Sequence, residues 1–193
     1  NGIFVAGKDF DDWRAANPAV DANFVIVNES NGNANYVRNE VGSEEIGHIS
    51  YFVNGLEVLN QNIGITINGG NSRGFQSKAF RLSARSEYGN DKMSYPFFAN
   101  ETHNSYKRLL LRNSGQDFRS TMFRDGLFHS LVEKLNTETK SYQPSIVFVN
   151  GEYWGILNIR ERYDKHFFNQ KYNINDGELD YLKNDLTPEE GDG

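Results

Sequence analysis

The chain has 193 residues, 37% of them hydrophobic and 13% aromatic, and a formal net charge of -6. That length and apolar content suit one domain, or most of one, with a core of its own, and the aromatic share excludes a disordered chain. The acidic balance argues against nucleic-acid binding, which draws its affinity from phosphate neutralisation, and the absence of cysteine excludes thiolate zinc sites, disulfides and cysteine nucleophiles.

The opening residues Asn1-Gly2-Ile3-Phe4 lack the basic-then-apolar pattern of a secretory signal. There is no initiator Met, so the chain is expected to be processed or cut from something longer. No apolar run approaches the ~20 residues that span a bilayer. Asp9 to Asn17 predicts a short helix carrying Trp13. Asp9, Asp11 and Asp12 lack the glycine and distal glutamate of a calcium loop and suit helix capping. Asn28 to Asn39, rich in Asn and Gly, predicts a loop.

Strands are predicted at His48–Val53, Leu56–Asn68, Lys78–Arg85, Tyr106–Asn113, Ser145–Val149, Tyr153–Glu161 and Leu179–Leu182. The run Ile63, Ile65, Ile67 alternates with Gly64 and Thr66 at the period of a strand. Two Asn-Gly pairs, Asn54-Gly55 and Asn150-Gly151, sit between apolar runs and predict type I′ hairpins, because Asn and Gly accept the positive φ angles that turn requires. One helix is expected from about Arg119 to Leu135 and a shorter one from about Asp164 to Tyr172. Strands outnumber helices and often follow one another directly, which makes the expected class α+β with a mainly antiparallel sheet. The tail from Thr187 to Gly193 is polar and predicts no element.

Charges on apolar faces point to chemistry. Lys78 shares a strand face with Phe80, Leu82 and Ala84, while Arg81, Ser83 and Arg85 take the other face. Glu161 ends a row of Tyr153, Gly155, Leu157 and Ile159. On the longer helix Phe123, Leu127, Phe128, Leu131, Val132 and Leu135 form one stripe, with Arg124 near its middle and Asp125 at its border. A buried unpaired charge costs several kcal/mol, so these charges should pair or line an anion pocket. Lys78 or Arg124 with Glu161 is the expected pair. One alternative has Lys78 snorkelling outward and Arg124 bracing Glu161, in which case Arg124→Met destabilises strongly. The other is a pocket in which Lys78 meets phosphate and a carboxylate steadies it. The turn Asn68-Gly69-Gly70-Asn71-Ser72-Arg73-Gly74 could bring backbone N–H groups and Arg73 to a phosphate, but it lacks the ending of a P-loop and suits a plain hairpin equally. His48, His103, His129 and His166 are scattered without metal-ligand spacing, and no metal site is expected within the chain. Tyr153 and Trp154 could stack on sugars or form cross-strand pairs.

Three strings together resemble the CotH (spore coat protein H) kinase-like family. The first is Ile67-Asn68-Gly69-Gly70-Asn71-Ser72-Arg73-Gly74-Phe75-Gln76-Ser77-Lys78-Ala79-Phe80-Arg81-Leu82, though Ser77 stands where the family often has a second lysine. The second is Leu111-Arg112-Asn113-Ser114 with Asp117 and Met122-Phe123-Arg124-Asp125. The third is Val147-Phe148-Val149-Asn150-Gly151-Glu152-Tyr153-Trp154-Gly155-Ile156, continuing to Glu161. The resemblance runs from about Gly2 to Asp185, so residues 1–193 are expected to form a single domain of this kind. It implies an atypical protein-kinase-like fold, ATP and Mg²⁺ as cofactors, and a protein substrate, basic and rich in Ser, at a bacterial cell surface or spore coat. By position, Arg73 and Lys78 would meet ATP phosphates, Glu161 would hold the lysine, and Asn113, Arg124 and Asp125 would line the pocket or brace it. The family's catalytic and metal-holding Asp residues lie further along, in an Asp-x-Asp-like segment. Asp176, Asp180, Asp185 and Asp192 are not in that context. The expectation is therefore a domain incomplete at its C-terminus, with catalytic acids beyond Gly193 and no transfer by this piece alone. A non-catalytic surface or coat module binding protein or glycan is the alternative.

Overall fold

The computed structural model describes Tyr36 and residues 43–135, 137–182 and 188–190. The expected Trp13 helix lies outside these residues, as does the expected loop before Asn39 except for Tyr36. A six-stranded antiparallel sheet dominates. Its strands are β1 (Glu45–Val53), β2 (Leu56–Asn68), β3 (Ala79–Ser83), β6 (Arg108–Arg112), β8 (Glu152–Glu161) and β7 (Tyr142–Val149), hydrogen-bonded in the order β1-β2-β3-β6-β8-β7. Two small ladders accompany it, β4 (Met93–Ser94) with β5 (Ser105–Tyr106) and β9 (Tyr181–Leu182) with β10 (Pro188–Glu190). Part of the tail that predicted no element is therefore a strand. Two helices, α1 (Arg124–Val132) and α2 (Lys165–Tyr172), complete the α+β class.

Both Asn-Gly pairs form the expected turns, with φ of 50° and 80° at Asn54 and Gly55 and 52° and 82° at Asn150 and Gly151. The two hairpins they close occupy opposite edges of the sheet. Each ladder slips register just before its turn, at Tyr51/Phe52 and at Val147/Phe148.

Cross-strand register aligns the inner strands into rows. Ile67, Phe80, Leu111 and Ile159 form one row; Ile65, Leu82, Leu109 and Glu161 form the next. Leu82, Leu109 and Ile159 join Leu59 and Ile63 in the core, which Met93, Phe97, Phe98 and Tyr106 cover from the segment crossing that face. The opposite face carries Arg81, Arg108, Arg112 and Arg160, each an odd number of positions from a core residue of its own strand, as alternation requires.

α1 is shorter than expected. The expected residues from Arg119 to Phe123 stay outside it: they follow a 3-10 turn, Gly115–Asp117, and left-handed Met122 (φ 63°) breaks the helical path. The apolar stripe is also turned outward: Phe123, Leu127, Phe128, Leu131 and Leu135 are exposed, and the buried helix residue is Gly126. A Cβ there would lie 2.9 Å from the Tyr142 ring, so glycine permits the close approach. The helix thus meets the arginine-lined face through Asp125 and Gly126. α2 begins on Asp164, whose carboxylate accepts from His166 and Phe167 N–H at 3.0 and 3.2 Å, and ends at left-handed Asn173.

Candidate functional site

Lys78 is 4% exposed, deeper than a lysine at a strand mouth would be. Its Nζ donates to the carbonyls of Arg73 (2.7 Å) and Phe75 (2.5 Å) and lies 4.0 Å from the centroid of the Tyr36 ring. Among the described residues no carboxylate pairs with it, and burial alone pushes its pKa down to about 8. The turn above it is a 3-10 segment, Asn71–Gly74, entered through Gly69 at φ 126°. Arg73 binds back into that turn, Nε to the Gly69 carbonyl at 2.5 Å and Nη1 to the Tyr36 carbonyl at 3.4 Å. Asn113, 1% exposed, donates to the Ser77 carbonyl and accepts from Gly115 N–H at 3.1 Å. Stacked rings of Phe75 and Phe118, 4.8 Å apart, fasten the same turn from the other side. The result is a buried ammonium whose partners among the described residues are neutral carbonyls and a ring.

The second cluster sits on the opposite face. Asp125 bonds Arg160 directly and lies 3.1 Å from Arg112 Nε. Burial opposes ionisation of Asp125, but the two guanidinium groups outweigh it and hold its carboxyl below the usual range. Lys140 lies beside them over the Tyr163 ring at 3.9 Å, its pKa pushed down to about 8 by burial and then by Arg160 and Arg112. Asp125 is therefore a brace. Arg124 is not: its side chain is 57% exposed and pairs with Asp117 at 3.3 Å. Asp117, buried at the helix entrance, accepts from Thr121 Oγ1 (2.6 Å), Thr121 N–H (3.3 Å) and Arg124 N–H (3.1 Å). The expected inward Arg124 is corrected to a surface partner of a cap, because the helix that carries it starts later and rolls its apolar stripe outward.

Glu161 forms the third cluster. It is 2% exposed, and the expected pair with Lys78 is not made. The register explains why. Lys78 and Glu161 share a face, yet lie about 13 Å apart along the strands and two strand spacings, about 10 Å, across them. Glu161 instead meets His103, Nε2 to Oε1 at 3.2 Å, while His103 Nδ1 is 3.8 Å from Glu101. Ser141 ties the two acids together: its N–H bonds Glu161 Oε2 at 3.1 Å and its hydroxyl bonds Glu101 Oε1 at 2.5 Å. Burial, then the charge of Glu101, pushes the Glu161 carboxyl up to about 7. Burial pushes the His103 imidazole down. Lys171 on α2 stands 3.9 Å from Glu101 and 2.9 Å from Glu138. Among the described residues, Glu101, His103 and Glu161 are the group whose ligand atoms lie within 4.8 Å of one another, so they are the residues that could hold a metal ion.

The site residues expected from sequence thus divide among three places. Arg73, Lys78 and Asn113 come together at one corner; Asp125 stands with Arg112 and Arg160 on the reverse face; Glu161 closes the opposite corner. Glu101 and His103 escaped the sequence pattern because their partner Glu161 is 60 and 58 positions further on in the chain and no local spacing links them. Arg160 escaped because the sequence marked only one face of its strand as buried. A family model described as CotH kinase protein matches residues 65–190. No curated protein matches the chain.

Proposed function

The chain belongs to the CotH kinase protein family, and from that premise we propose that it supplies the phosphate-facing wall of an atypical protein kinase that uses ATP to modify Ser residues of coat or surface proteins. The observation that carries this is Lys78. A buried ammonium facing two neutral carbonyls, with no mapped carboxylate, is a charge that an anion stabilises. Two of its three donors are used, which leaves one for a phosphate oxygen. Asn113 and the Phe75–Phe118 stack keep the turn in place while Lys78 engages. ATP supplies the transferable phosphoryl group; the residues of this chain bind and orient it.

The Mg²⁺ that kinases use is a different matter. Mg²⁺ takes an octahedron of oxygens. Asp117, Asp125 and Asp164 are engaged with arginines at 3.3, 3.1 and 3.0 Å, and the Glu101–Glu161 pair includes an imidazole and lies across the face from Lys78. These residues do not fit a nucleotide-bound Mg²⁺, and no step is derived through one. The chain is accordingly expected to bind nucleotide without transferring phosphate by itself. The substrate would be a basic, Ser-rich protein at a cell surface or spore coat.

Titration of ATP into the 193-residue chain tests the binding. Lys78→Met should weaken it at least tenfold; equal affinity in the variant sinks the assignment. Transfer of labelled γ-phosphate is then measured with protein from the whole gene, with and without Lys78→Ala.

A second reading has one observation in its favour. Phe148 and Tyr153 pack edge-to-face at 5.8 Å on the β7–β8 hairpin while both stay exposed beside Ile146 and Ile156. Such a surface suits a module that binds protein or glycan. Loss of partner binding on Tyr153→Ser, with ATP affinity unchanged, would favour it.

A further inference from the structure

We propose that Glu101, His103 and Glu161 form a binding site for one divalent ion of the zinc type, separate from the Lys78 pocket. The donor set is one imidazole and two carboxylates, which suits a borderline ion such as Zn²⁺ better than Mg²⁺ or Ca²⁺. Their ligand atoms lie within 4.8 Å of one another. A tetrahedron with bonds near 2.0 Å has edges of about 3.3 Å. The His103–Glu161 pair, at 3.2 Å, already has that edge, and Glu101 needs a short inward movement.

A second observation points to a ligand. Glu161 is nine-tenths buried and its Oε1, the oxygen that faces His103, has no hydrogen-bond donor. With its proton on Nδ1, His103 offers an Nε2 lone pair to the same space, and a cation there would satisfy both that nitrogen and Glu161 Oε1. The surroundings are those of a built site. Ser141 orients both carboxylates, one through its N–H and one through its hydroxyl, in the manner of outer-shell partners of metal ligands. His103 is steadied on the Tyr106 ring, centroids 4.8 Å apart, and Tyr106 OH returns a bond to the His103 carbonyl at 3.1 Å. His103 and Glu101 keep side-chain exposures of 15% and 13%, which leaves an entry path and an open fourth position for water. Lys171 is the one opposing feature. Its ammonium, 3.9 Å from Glu101, competes with an ion for that carboxylate, although its hydrogen bond is to Glu138 at 2.9 Å.

The test uses the whole chain and metal alone, without nucleotide, so its outcome is independent of the kinase assignment. Zn²⁺ is expected to bind one per chain and to raise the melting temperature, and millimolar Mg²⁺ should not displace it. His103→Ala and Glu161→Gln should each weaken Zn²⁺ at least tenfold, while His48→Ala leaves it unchanged. Co²⁺, added as a probe, should show the visible spectrum of a low-coordinate site with nitrogen ligation. Should either ligand variant fail to fold, Lys171→Met decides: it alters no ligand and removes the competing charge, so Zn²⁺ must bind several-fold more tightly. No binding at 100 micromolar Zn²⁺ (roughly the weak end for a three-ligand site), binding indifferent to His103 and Glu161, or an affinity unmoved by Lys171→Met overturns the proposal.

Discussion

Lys78 and Arg160 are both buried cations on opposite faces of one sheet, and they are treated in opposite ways. Arg160 is 2% exposed and receives a carboxylate, Asp125, which it shares with Arg112. Lys78 is buried almost as deeply and, among the described residues, receives only carbonyl oxygens and the face of Tyr36. The first charge is balanced within the protein and so contributes to holding α1 on the sheet. The second is balanced only in part, and its stability cost makes sense where a ligand completes it. Inward charge alone does not mark a binding site; what distinguishes the two is whether the molecule supplies the counter-charge.

The largest expected effect comes from removing that internal counter-charge. Asp125→Ala leaves Arg160 buried beside Arg112 and Lys140 without their acid, and should destabilise the protein by about 3 kcal/mol in denaturant unfolding. Adding Arg160→Met to that variant removes the stranded charge and should restore most of the loss. A double variant no better than Asp125→Ala would mean that the carboxylate acts through α1 packing and not through Arg160.

Lys78→Met should behave differently, with its signature in pH. The folded-state pKa of Lys78, about 8, lies below the ordinary value of 10.5. Between these values the unfolded chain binds more protons than the folded one, so stability rises as pH increases from about 8 toward 10. Lys140, shifted to the same value, adds to that rise. Burial raises Tyr106 and Tyr163, and their ionisation on unfolding reverses the trend above about 10. Unfolding curves at pH 8 and 9.5 should show the gain in the unsubstituted chain and roughly half of it in Lys78→Met. An undiminished gain would mean that Lys78 is not the titrating group.

Much of this architecture was legible in the sequence, for local reasons. The Asn-Gly turns, the alternation of Ile63 to Ile67 and the short helix starting near Asp164 each depend on neighbouring residues, and each is where the pattern placed it. The class followed from such signals, while the family followed from the resemblance of whole strings. What failed to show was anything fixed by register between distant strands. Alternation correctly put Lys78 and Glu161 on one face, but only the pairing of Leu109 with both Leu82 and Glu161 reveals that they occupy opposite corners. The apolar stripe of α1 misled for a related reason: Arg112 and Arg160, which hold Asp125 from the sheet, decide which side of the helix is buried, and helical periodicity carries no information about them.

Arg124 gives the smallest effect and the sharpest contrast with Arg160. An inward Arg124 bracing Glu161 requires Arg124→Met to cost several kcal/mol. With its side chain 57% exposed and its partner Asp117 already held by Thr121 and by the Arg124 N–H itself, the guanidinium adds only a surface pair. The substitution should therefore change stability by less than about 1 kcal/mol, and less still in high salt, where exposed pairs are screened. Asp117→Ala, which removes the cap for both Thr121 and the first turn of α1, should lower the melting temperature more than Arg124→Met does. The reverse order would place Arg124 back among the buried charges and make it, with Asp125, part of the structure that holds α1 down.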